Sequence, residues 1–83
     1  MGDLSFIKRH FLVDRRRIAD LRFILESYDG LAFVRSLDGM AGLVEIAYPH
    51  SRRSDAEALL HALTLELDME PAEPPAPGTY PPI

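Results

Sequence analysis

Leu31-Ala32-Phe33-Val34-Arg35-Ser36-Leu37 and Leu43-Val44-Glu45-Ile46-Ala47-Tyr48 flank the loop Asp38-Gly39-Met40-Ala41-Gly42. Both runs are short, and the loop between them carries two glycines. That combination predicts a β-hairpin with a loop of about five residues. One register satisfies both sides of the ribbon. Opposing Leu37 to Leu43 also opposes Arg35 to Glu45 and Phe33 to Ala47 on one face, and Val34 to Ile46 on the other. A cross-strand ion pair of this kind contributes roughly 0.2–1 kcal/mol. Pro49 ends the second strand, because proline supplies no ladder donor.

Upstream, Ile18, Leu21, Leu25 and Tyr28 recur at helical spacing, with Ile24 widening the stripe. Asp14 is placed to cap this helix, which is expected from about Arg15 or Arg16 to Tyr28. Asp29-Gly30 stops it. Before it, the aromatic and aliphatic run from Ser5 to Val13 predicts a strand. Downstream, Ala56, Leu59, Leu60, Leu63 and Leu67 form the stripe of a second helix. Ser54 and Glu57, three apart, predict a capping box at its start.

The order strand-helix-strand-strand-helix then fixes an architecture. A right-handed crossover sets the second strand parallel to the first, and the hairpin returns the third between them. The result is an α+β, ferredoxin-like or ACT-like βαββα unit of residues 1–68. Its three-stranded sheet has order 1-3-2, with both helices on one face. Val34, Val44 and Ile46 are expected under the helices. Leu31, Phe33, Arg35, Leu37, Leu43 and Glu45 are expected on the open face, as a candidate interface.

Six of the seven prolines lie between Pro71 and Pro82. Residues 69–83 are therefore expected to form an extended or disordered tail, with Tyr80 and Ile83 as its docking points. This leaves the first strand as an unpaired edge, which needs a partner or a cover.

The chain has 83 residues, no cysteine, nine basic and thirteen acidic residues, and a net charge of −4. A domain this small buries only roughly 60% of its unfolded surface, so self-association is the expected source of added stability. Zero cysteine fits a reducing compartment. No apolar run approaches the roughly 20 residues of a membrane span, and Met1 to His10 has no signal-peptide pattern. A cytoplasmic protein is expected.

The run from Asp14 to Ala32, Asp-Arg-Arg-Arg-Ile-Ala-Asp-Leu-Arg-Phe-Ile-Leu-Glu-Ser-Tyr-Asp-Gly-Leu-Ala, resembles the leading motif of a short bacterial family of unknown function. The members of that family continue with a similar hairpin and a leucine-rich helix. The resemblance covers roughly residues 8 to 68. It implies a small bacterial cytosolic domain and brings no ligand or site residues. ACT domains bind amino acids beside a glycine-containing turn after their first strand, and here Asp14-Arg15-Arg16-Arg17 occupies that place.

Two basic clusters are candidate anion sites: Arg15, Arg16 and Arg17 before the first helix, and Arg52 and Arg53 before the second. The competing reading is solvated arginines paired with nearby carboxylates, and helix starts favour it. The clusters would lie at opposite ends of the sheet. His10, His50 and His61 show no metal-ligand spacing. Ser5, Ser27, Ser36, Ser51 and Ser54 stand in no nucleophile motif. A non-catalytic binding or regulatory module is therefore expected, without metal or cofactor. It would act as a homodimer through the sheet edge or open face, with a protein partner or small ligand. The alternative is a nucleic-acid-binding accessory protein that uses the arginine clusters, although the acidic balance disfavours that partner.

Overall fold

The computed structural model describes residues 6–76, 78 and 79. Strand β1 (Phe6–Leu12) leads through a 3-10 turn (Arg15–Arg17) into helix α1 (Ile18–Glu26). Strands β2 (Phe33–Asp38) and β3 (Leu43–Pro49) form the hairpin. A second 3-10 turn (His50–Arg52) enters helix α2 (Arg53–Glu66), and a short strand β4 (Glu70–Pro71) follows. The sheet order is β2-β3-β1-β4, and every neighbouring pair is antiparallel. The protein is an α+β fold of ferredoxin-like βαββαβ order.

The expected 1-3-2 order is present, but the sheet has four strands rather than three. β4 pairs Glu70 with Leu12 and Pro71 with Phe11, and the Ala72 N–H donates to the His10 carbonyl at 2.8 Å. The outer side of β1 is therefore partly occupied, which corrects the expectation of an unpaired edge there. Proline is tolerated in β4 because this is an edge strand. The turn before it explains the extension. Asp68 adopts φ 54, the left-handed conformation that usually selects glycine or asparagine after a helix. The Met69 N–H then bonds back to the Thr64 carbonyl at 3.1 Å. This turn drives Met69 into the core and aims Glu70-Pro71 along β1. Tyr80 and Ile83 lie outside the described residues.

Side chains alternate along the strands, and the register sorts them. Phe11, Val13, Val44, Ile46 and Tyr48 face the helices and pack with Leu21, Leu25, Ala56, Leu60, Leu63, Leu67 and Met69 in one core. Val34 packs against the same cluster. Four further expectations are corrected. Leu31 precedes β2 and lies in this core at 4% exposure, not on the open face. Leu37 does not oppose Leu43: a register shift between Ser36 and Asp38 pairs Asp38 with Leu43 instead. Ser54 lies inside α2 rather than at its cap, and Glu57 turns to other partners. Tyr28 lies beyond α1 and is exposed. The rest of the hairpin register is as expected, with Arg35 opposite Glu45, Phe33 opposite Ala47 and Val34 opposite Ile46.

Gly42 closes the hairpin loop against β1. The Val13 N–H donates to its carbonyl at 2.9 Å, its φ is +78, and a Cβ there would sit 2.0 Å from the Val13 oxygen. Asp38 holds the loop by accepting from the Met40 and Ala41 N–H groups, both at 3.1 Å.

Candidate functional site

The face of the sheet away from the helices carries Phe6, Lys8, His10 and Leu12 from β1. Leu43, Glu45 and Ala47 come from β3, and Phe33 and Arg35 from β2. This follows from the pairings His10–Glu45, Lys8–Ala47, Leu12–Leu43 and Arg35–Glu45. Ala47 is small, and Lys8 and Phe33 flank it on the neighbouring strands. The Phe6 and Phe33 rings therefore meet across β3, with centroids 5.9 Å apart and planes tilted by 51°. Tilted geometry suits the quadrupoles of the two rings. Phe6 keeps 44% and Phe33 48% of its surface exposed, and Leu12 keeps 39%. The exposed aromatic pair is apolar surface of the kind that marks an interface, and Leu12 with Leu43 forms a second apolar spot at the other end of the face, beyond the His10–Glu45–Arg35 row.

Beside the patch sits a polar cluster that needs little water. Glu45 is 5% exposed and His10 9%. The Glu45 Oε2 lies 3.0 Å from His10 Nε2, and Arg35 Nε donates to Oε1 at 3.1 Å. Burial pushes the Glu45 carboxyl up, but the bonds from His10 and Arg35, with the nearby charges of Arg35 and Lys8, hold it below its ordinary value. With its charge balanced this way, Glu45 does not oppose an apolar contact beside it.

The neighbour of His10 on β1 builds a second network on the opposite face. Arg9 Nη1 donates to Glu57 Oε1 at 2.5 Å, and the Tyr48 hydroxyl donates to Glu57 Oε2. The Arg9 guanidinium stands 5.2 Å from the centre of the Phe11 ring, a cation–π contact. Burial raises both titrations first. The bonds from Tyr48 and Arg9 then bring Glu57 below its ordinary value, while the adjacent carboxylate lifts Tyr48 further. The sequence reading missed this network because it spent Glu57 on a helix cap. The available signal was Arg9 itself, a charge at an inward position between Ile7 and Phe11.

The two arginine clusters do not converge. β1 and β3 are antiparallel, so the helices that follow them start at opposite ends of the sheet. Arg16 pairs with Asp14 at 3.0 Å, Arg17 with Asp20 at 3.7 Å and Arg52 with Asp55 at 3.9 Å. Arg15 reaches the Met40 sulfur, and Arg17 also donates to the Glu66 carbonyl at the far end of α2. Arg53 opens α2 near Glu57 and Tyr48. The Asp14 side chain caps the first turn through the Arg16 N–H at 2.9 Å. The side-chain and backbone bonds from Arg16 pull its carboxyl down to about 2.

A family model, described as a domain of unknown function (DUF4911), matches residues 11–66. The chain belongs to that family. The matched span runs from Phe11 on β1 to the last residue of α2, so it contains Phe33, Arg35, Glu45 and Glu57 of the two networks. Phe6, Arg9 and His10 lie before it, and β4 lies after it. No curated protein and no solved structure matches the chain. Among the described residues, no helix is long and apolar enough to cross a membrane.

Proposed function

We propose that this DUF4911 protein is a small, non-catalytic binding or regulatory module of the cytoplasm that self-associates through the helix-free face of its sheet. The observation that carries this reading is the Phe6–Phe33 pair, nearly half exposed and lying next to a charge cluster that is already neutralised. Edge pairing through β1 is the less favoured mode, since β4 occupies that edge at Phe11 and Leu12. The ion pairs of Arg16, Arg17 and Arg52 with aspartates of their own segments give no support to nucleic-acid binding through those clusters.

Magnitudes suggest the strength of association. Covering the exposed halves of both rings on two protomers removes roughly 400 Å² of apolar surface, about 10 kcal/mol in gross terms. Association itself costs about 4–15 kcal/mol. The rings alone about break even, so net affinity must come from Leu12 and Leu43, and a weak dimer with a dissociation constant of roughly 100 μM is expected. Sedimentation equilibrium on the full chain tests this. A monomer–dimer equilibrium that Phe33→Ser weakens at least tenfold supports the reading. A wild-type chain that stays monomeric up to about 1 mM would overturn it.

A further inference from the structure

A groove lies between the β1–β4 edge and α2, on the helix-covered side of the sheet. It encloses about 190 Å³ and is lined by Arg9, Phe11, Glu57, Leu60, His61, Thr64 and Pro71. That volume corresponds to about six waters at about 30 Å³ each and is smaller than a drug-sized pocket. Its walls divide by chemistry. Phe11, Leu60 and Pro71 are apolar. Arg9, Glu57, His61 and Thr64 carry the polar groups.

Arg9 is the most prepared of these. It is held by Glu57, which is itself held by the buried Tyr48 hydroxyl, and it stacks on Phe11. Only Nη1 is used by Glu57. Among the described residues, the Nε and Nη2 edge of the guanidinium has no partner, and that edge is the fork that takes a carboxylate with two parallel bonds. Both oxygens of Glu57 are already engaged. Arg53 adds a second positive charge that acts on Glu57 and Tyr48, so the local balance is cationic. The Thr64 hydroxyl spends its proton on the Leu60 carbonyl at 2.7 Å and is left as an acceptor.

We propose that this groove binds a small organic carboxylate, with the carboxylate on the free edge of Arg9 and a short apolar body between Pro71 and Thr64, over the nearly closed floor of Phe11 and Leu60. An arginine fixed in place by two further side chains beside an apolar hollow is how a protein prepares to hold such a ligand, because little side-chain freedom is lost on binding. The groove is on the opposite side of the sheet from the Phe6–Phe33 patch, so the two proposals stand or fall separately.

Amide spectra of the full chain, recorded during titration with 4-methylpentanoate, phenylacetate or the amine 4-methylpentylamine, provide the test. The expected result is saturable shifts at Arg9 to Phe11 and Glu57 to Thr64 with at least one carboxylate, and none with the amine. Arg9→Gln should weaken that binding at least tenfold. Thr64→Leu keeps Arg9 but fills the hollow, and should do the same. Three results would overturn the proposal: no saturable shift with either carboxylate, an equal response to the amine, or carboxylate affinity retained when the hollow is filled.

Discussion

Replacing Glu45 with glutamine removes one charge and almost no volume, so it isolates what the buried carboxylate contributes. In the wild type, both oxygens are used, one by His10 at 3.0 Å and one by Arg35 at 3.1 Å. A hydrogen bond involving a charged group contributes about 1.5–3 kcal/mol, against about 0.5–1.5 for a neutral one. Two such bonds lose roughly 2–3 kcal/mol on neutralisation, and the amide nitrogen also meets a donor where an acceptor is needed. The Arg35 side chain is 28% exposed and recovers some hydration, which sets the expectation at about 2 kcal/mol. Urea unfolding at one fixed protein concentration measures it. For a chain of this size the slope is about 1 kcal/mol/M, so the midpoint should fall by about 2 M at pH 7.

The pH dependence adds a second arm. The folded Glu45 carboxyl titrates below its ordinary value of 4.5. Its contribution is therefore complete above that value and is lost as pH falls through the lower folded value. The gap between wild type and Glu45→Gln should narrow on acidification, because the wild type loses what the variant never had. A loss under about 0.5 kcal/mol at pH 7, the range of an ordinary surface substitution, would refute the reasoning. So would a gap that stays constant from pH 7 down to about pH 2, well below the unperturbed carboxylate range.

Three further substitutions probe the hairpin loop, the start of α2 and the turn at Asp14. Gly42→Ala forces a Cβ onto the Val13 carbonyl and strains a left-handed residue, so it should cost more than about 2 kcal/mol in thermal or urea unfolding. Ser54→Ala should change stability by less than about 0.5 kcal/mol, since Ser54 caps nothing; a loss near 1 kcal/mol would restore the capping box. A carbon-detected titration should place the Asp14 midpoint at about 2, and Arg16→Ala should raise it towards 3.8; an unmoved midpoint would show that Arg16 is not the cause.

The parts of the fold that were legible were those written in periodicity. The stripe at Leu21 and Leu25, the stripe at Ala56, Leu60 and Leu63, and the alternation around Arg35 and Glu45 place both helices and the hairpin register. β4 was hidden because two residues carry no periodicity and one of them is proline. The turn that aims it uses Asp68 where a glycine would have signalled a helix stop. Leu37 was misplaced because a bulge shifts the pairing without changing the composition. Phe33, Arg35, Leu43 and Glu45 lie on the helix-free face as their alternation dictates, because their partners are local or opposite in a short hairpin. The Arg9–Glu57–Tyr48 network was not legible because its members come from three separate elements, and Arg9 and Glu57 are 48 residues apart.

Self-association through the helix-free face is tested most directly by the concentration dependence of the amide spectrum. Between about 10 μM and 1 mM, a range spanning a dissociation constant of roughly 100 μM, shifts should concentrate at Phe6, Lys8, Leu12, Phe33 and Leu43. The outer residues of α1 and α2 should stay still. A spectrum that does not change with concentration in a chain that sediments as a monomer, or shifts confined to the helices, would contradict the account.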